Sequence, residues 1–163
     1  MTGPFDHASI SLQVGYDGPA LQAGRMDVRL LAPAMASVAQ LVDDATRLTY
    51  GSDAEVRIEV SGDFRRGSFT YQIVATALQG LTADQIEQVL KWLGLISAPT
   101  GLTVIGILKW LKGKKPSAVR TEGNQATITA SGESRVVNLQ VAQLVFNHNV
   151  RSDLEGVTEP LAQ

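Results

Sequence analysis

Residues 92–108 read WLGLISAPTGLTVIGIL, seventeen positions from Trp92 to Leu108 without a charge. Lys91-Trp92-Leu93 opens the stretch and Lys109-Trp110-Leu111 follows it, so a Lys-Trp-Leu triplet stands at each edge. Lys112, Lys114 and Lys115 come next. An apolar run of this kind must leave water. Three destinations are open to it: the core of the chain itself, a partner subunit, or a lipid bilayer. The run is shorter than the roughly 20 residues of a spanning helix. Ser97, Pro99-Thr100-Gly101 and Gly106 also divide it, and neither half alone would span. A re-entrant hairpin survives this test, because broken backbone is tolerated at membrane depth where protein or water covers it. Tryptophan and lysine at both edges resemble interfacial anchors. A helix pair buried in a soluble core, or packed on a neighbouring subunit, gives the same pattern.

Upstream, Thr82 with Gln85 three residues on is a capping-box pattern, and Ile86, Val89, Leu90 and Leu93 form the apolar stripe of the helix it opens. Gly94 and Ser97-Ala98-Pro99 end that helix. Thr100 is the expected cap of a second apolar helix over 101–112, which Gly113 and Pro116 stop. Lys109 and Lys112 lie three apart in its last turn, where cations complement the helix dipole. Lys114 and Lys115 follow in a solvated linker. The same cluster would also suit anionic lipid or nucleic acid.

The flanks read as strands and helices of an ordinary domain. Ile10, Leu12, Val14 and Tyr16 alternate with polar residues and predict a half-buried strand over 9–16. Met35, Val38, Leu41, Val42, Ala45 and Leu48 recur at helical spacing within 33–50, with Pro33 in the first turn and Gly51 as C-cap. Alternation over 54–60 and 69–77 predicts a hairpin through residues 62–67. Residues 119–121, 126–129 and 135–139 predict a small meander. Helical spacing over 141–146 breaks at Asn147-His148-Asn149 and resumes over 150–161.

The chain has 163 residues, 44% hydrophobic and 18% charged, which fits one globular domain with a proper core. The formal net charge of −2 argues against a general nucleic-acid binder. There are no cysteines, hence no disulfide, thiolate metal site or cysteine nucleophile. The opening MTGPFDHAS lacks the basic and apolar regions of a secretory signal.

No motif points to a reaction. His7 and His148 are the only histidines and have no spaced carboxylate partner, so no metal site is expected. The Gly-X-Ser-X-Gly elbow, the Walker A pattern and the dinucleotide-binding glycines are absent. Asp43-Asp44 are adjacent on a helix, point in different directions and read as a solvated face. Arg65-Arg66 stand at a hairpin tip, and Phe146, His148 and Arg151 could form a polar-aromatic patch.

Taken together, MDVRLLAPAMASVAQLVDDATRL, SGDFRRGSF, LTVIGILKWLKGKKP and FNHNVRSDLEGVTEPL resemble an uncharacterised family of bacterial and prophage proteins. The matching features are Met26 to Val28, Leu31 to Ala34, Asp63-Phe64 with Gly67 to Phe69, and Lys109 to Lys112. The resemblance covers most of the chain and implies a bacterial or phage origin, with no established activity. Members of that family look longer, so the chain is expected to be a short or trimmed form, missing a C-terminal region.

These readings set the expectations. The fold is one α+β domain over residues 1–163, a mostly antiparallel sheet with helices on one face and a central apolar helix–break–helix unit over about 82–112. The chain is not an enzyme and has no cofactor, no metal and no evident small-molecule substrate. It is a cytoplasmic homo-oligomer that self-assembles or binds a partner through the helix pair. The interaction residues are Trp92, Leu95, Ile96, Leu102, Ile105, Leu108, Lys109, Trp110, Lys112, Lys114 and Lys115. The alternative is a pore-forming effector whose 92–108 hairpin inserts in, or lies peripheral to, the inner membrane. A carboxylate enzyme is a third class, with no acid pair visibly poised for it.

Overall fold

The computed structural model describes residues 9–16, 27–61, 69–78, 81–96, 102–112 and 114–158. Its elements run β1 (Ser9–Tyr16), α1 (Val28–Tyr50), β2 (Val56–Ser61), β3 (Phe69–Ala77), α2 (Ala83–Leu93), α3 (Val104–Leu111), β4 (Ala118–Glu122), β5 (Gln125–Ala130), β6 (Glu133–Asn138), α4 (Leu139–Val145) and α5 (His148–Thr158). The class is α+β, and every strand pairing described is antiparallel. The strands do not join into the single sheet expected. They form two three-stranded sheets, ordered β1-β3-β2 and β4-β5-β6. Alternation says which face of a strand is buried, not which core buries it, and here there are two cores.

Beneath β1-β3-β2, Leu12, Tyr71, Ile73 and Ala75 turn inward and meet Leu31, Ala34, Val38 and Val42 of α1 with Ile86 and Leu90 of α2. The second core gathers Ala126, Ile128, Ala130 and Val137 of the other sheet with Val104, Ile107 and Leu111 of α3, and residues of α4 and α5. Leu41 and Ala45 of α1 and Val89 and Leu93 of α2 face this second core. Helices α1 and α2 are therefore a shared layer, apolar on two sides.

The helix ends show how the chain sets its boundaries. Asp27 caps α1: its Oδ1 accepts the Arg29 backbone N–H at 2.8 Å, and its Oδ2 accepts from the Arg29 guanidinium at 2.8 Å. The Arg29 side chain, then its backbone N–H, hold the Asp27 carboxyl below its ordinary range. Pro33 is thus the sixth helical residue rather than a first-turn residue. The N–H it lacks would have served the carbonyl of Arg29, an exposed residue. Gly51 closes α1, its N–H donating to the Arg47 carbonyl at 2.9 Å.

The capping box at α2 is as expected. Thr82 Oγ1 accepts from Gln85 N at 3.3 Å, and Gln85 Oε1 accepts from Thr82 N at 2.9 Å. Gly94 ends α2 in the left-handed region, φ 93°. A Cβ there would also come within 2.7 Å of Thr103 Oγ1, so the position needs glycine on both counts. Thr103 caps α3, accepting from Gly106 N at 3.1 Å. The expected cap, Thr100, lies outside the described residues, and α3 starts at Val104 rather than residue 101. Asn147 Oδ1 accepts from Val150 N at 3.0 Å, which places His148 and Asn149 inside the first turn of α5 rather than in a break. His7 and Arg65-Arg66 lie outside the described residues.

Helix α5 runs along α1 in close contact. Gly156 sits on Ser37: a Cβ at 156 would collide with Ser37 Oγ and approach Ser37 Cβ to 2.9 Å. Gly156→Ala should therefore destabilise by about 1–3 kcal/mol through overpacking, although alanine is the better helix former by about 1 kcal/mol. Adding Ser37→Gly should recover part of the loss. Urea unfolding of the single and double variants checks this, and additive effects would mean that the two positions do not meet.

Candidate functional site

The helix pair divides its surface. Ile86, Val89, Leu90 and Leu93 of α2 and Val104, Ile107 and Leu111 of α3 are buried within the chain. Of the three destinations, its own core takes this face. The residues expected to make outside contacts are mostly half-buried. Trp92, Leu95, Ile105, Leu108 and Trp110 pack against the second core and Ile96 against the first. Leu102, just before α3, is 38% exposed. Lys109, Lys112, Lys114 and Lys115 are exposed. No helix among the described residues is long and apolar enough to cross a membrane.

The two tryptophans serve different ends. Trp110 lies under Arg135, whose guanidinium carbon sits 4.8 Å from the ring centroid. Its Nε1 donates to Glu133 Oε2 at 3.3 Å, and Arg135 lies 3.6 Å from the same oxygen. That network ties α3 to β6. Trp92 instead lines a groove of about 550 Å³ between α2, Leu102, β6 and the β4–β5 turn. Val136, 47% exposed, opens on the same groove, and Gln88, Asn124, Gln125 and Asn138 supply its polar lining. Lys91 also lines it but is already engaged with Glu87, 3.7 Å away along α2.

A second concavity, about 420 Å³, opens where α3, α4 and α5 meet. Leu108, Leu111, Val145 and Phe146 give it apolar walls, and Lys112, Lys114, Lys115 and Arg151 surround them. No carboxylate lines it. Phe146 and Arg151, paired in the sequence reading, do come together here, whereas exposed His148 does not line the cavity.

One feature of the α1–α5 contact was missed from sequence. Asp43 and Asp44 point apart, as adjacent helical residues must, but only Asp43 fits the solvated-face reading, with Arg47 at 3.5 Å. Asp44 accepts from Gln40 Nε2 at 2.9 Å and meets Asp153 of α5. Withdrawal from water, then a hydrogen bond to Asp44 and its charge, push the Asp153 carboxyl up to about 7. Among the described residues no donor reaches the buried Asp153 Oδ2. The neighbour is another carboxylate, which favours the protonated form of Asp153. Neither aspartate lines the two cavities above. Among the described residues no group of three or more His, Asp or Glu side chains could hold a metal ion.

Comparison with protein-family models, curated proteins and solved structures gives no match to this chain. Sequence patterning placed the helix pair, and of the Phe146, His148 and Arg151 that it grouped, the first and last line one cavity. It gave no sign of Val136 or the amide-bearing residues of the groove, which tertiary packing brings together from separate elements. A helical repeat placing Ser37 and Asp44 on one face, opposite Gly156 and Asp153 on another, is the pattern that could have exposed the carboxylate pair.

The pair carries a signed pH dependence. The folded Asp153 pKa of about 7 lies above the ordinary 3.8, so the folded chain holds a proton that the unfolded chain releases. The stability this contributes is complete below pH 3.8 and is lost as pH rises through about 7. Asp153→Asn, which mimics the protonated form, should flatten the fall in Tm across that interval. Thermal melts of both proteins over the same buffers check it, and parallel Tm profiles would remove the assignment.

Proposed function

We propose that this chain is a non-catalytic protein of bacterial or phage origin that works by self-association. The groove beside the helix pair is its contact surface. The observation that carries the reading is the joint opening of Trp92, Leu102 and Val136 on one concavity, after the rest of the helix pair has found its place inside the chain. Exposed apolar side chains gathered in one place mark contact surfaces more often than scattered ones do, and a tryptophan among them is a common anchor.

A second copy is the partner the groove fits. Gln88, Asn124, Gln125 and Asn138 each offer a donor and an acceptor, and Lys91 is paired within its own helix. A surface lined by amides can meet itself across a twofold axis without setting like charges against each other. Insertion of the 92–108 hairpin into a bilayer is the less favoured reading. It would draw Leu93, Val104, Ile107 and Leu111 out of the second core.

Light scattering in detergent-free buffer tests the proposal. The chain is expected to have a mass of at least twice its 17.4 kDa. Leu102→Gln with Val136→Thr should return it to a monomer with nearly unchanged melting, since exposed substitutions usually cost within about 0.5 kcal/mol. Substituting Ile105 or Leu108 is less decisive, because both also pack against the core. A wild-type monomer at high concentration would defeat the reading, and an assembled double variant would move the contact elsewhere.

A further inference from the structure

The formal net charge of the chain is −2, yet positive charge collects where α3 ends and α5 begins. Lys112, Lys114, Lys115 and Arg151 surround one cavity, and among the described residues none of them makes an ion pair. Elsewhere Lys91 is paired with Glu87 and Arg47 with Asp43. The dipole of α3 accounts for a lysine in or just after its last turn. It does not account for Arg151. That residue stands near the start of α5, where a cation opposes the dipole, and the first turn carries no acid to offset it.

The cavity these cations surround is apolar. Leu111 and Val145 are buried beneath it, Leu108 is half-buried, and Phe146 is left 41% exposed among the charges. An exposed phenylalanine beside unpaired cations is poorly placed for water alone. It is well placed for a ligand that brings an apolar body together with an anionic head. At about 420 Å³ the cavity lies in the size range of small-molecule sites, roughly 300–1,000 Å³. Its concave form suits one molecule entering it. A bilayer face would need protruding apolar groups, and a nucleic-acid site would need a basic track along a backbone.

We propose that this cavity binds a single anionic amphiphile, with a phosphate or carboxylate head held by Lys112, Lys114, Lys115 and Arg151 and an acyl-like body laid against Phe146, Leu108 and Val145. The site is separate from the groove lined by Trp92, so it stands or falls independently of self-association.

Calorimetric titration tests it with three probes on the full chain: octyl phosphate below its micelle concentration, inorganic phosphate, and octyl glucoside. Octyl phosphate is expected to bind one to one, at least about tenfold more tightly than either of the others, because only it engages both halves of the site. Lys112→Gln, Lys114→Gln and Lys115→Gln together should weaken it on the order of a hundredfold, and Arg151→Gln alone by several-fold. Phe146→Ala should weaken octyl phosphate and leave inorganic phosphate unchanged. Thermal melts control for folding, since the four basic side chains are exposed and their loss should leave Tm in place. The proposal is overturned if octyl phosphate binds no better than inorganic phosphate, or if the triple variant binds it as the wild type does. It is equally overturned if the chain binds vesicles of phosphatidylcholine with phosphatidylglycerol but shows no saturable binding of octyl phosphate, which would make this end a membrane-facing surface.

Discussion

Leu41 and Val42 are neighbours on α1, yet they serve different cores, and Val89 and Leu90 divide in the same way on α2. Successive residues on a helix point about 100° apart, so a helix with two apolar sides can bind two sheets only if both sheets are present. That constraint organises the rest. Each sheet is a three-stranded antiparallel piece; the first lies on α1 and α2, while the second lies on α4, which in turn packs against α1, α2 and α3. Removing α1 and α2 would strip the first sheet of its core and take Leu41, Ala45, Val89 and Leu93 from the second. Truncating a fully buried leucine such as Leu41 or Leu93 would cost about 2–5 kcal/mol, a large part of the about 5–15 kcal/mol that holds a domain of this kind together.

The same constraint decides the fate of the uncharged stretch. Helix α3 continues the layer, and its Val104, Ile107 and Leu111 complete the second core. What remains for contacts outside the chain is the margin of the helix pair. On one side lies the groove with Trp92, Leu102 and Val136, and on the other the basic cavity with Phe146. The two differ in chemistry. The first is lined with amides around Trp92, Leu102 and Val136, while the second is ringed by cations. Lys112, Lys114 and Lys115 belong to the second, whereas Lys91, at the edge of the uncharged run, lines the first.

Much of this was legible where the physics is local. The bounds of β1 and β3 follow from alternation, the start of α2 from the reciprocal Thr82–Gln85 bonds, and the end of α1 from Gly51. Features that depend on distant partners were not legible. Alternation could not assign strands to two sheets. Pro33 suggested a helix start that Asp27, with its side chain on Arg29, sets six residues earlier. Asp44 looked like its neighbour Asp43 until α5 brought Asp153 against it. The groove likewise depends on Val136, an outward residue of a strand whose next residue, Val137, is buried.

Amide hydrogen exchange in detergent-free buffer tests most directly whether the helix pair is core. If α1 and α2 join both sheets, amides of Ile107 to Leu111 should be protected as strongly as those of Tyr71 to Ala75 and of Ile128, all opening by the same global unfolding. Rapid exchange across α3 in buffer, slowed only when lipid is added, would contradict the account and return residues 92–108 to the membrane.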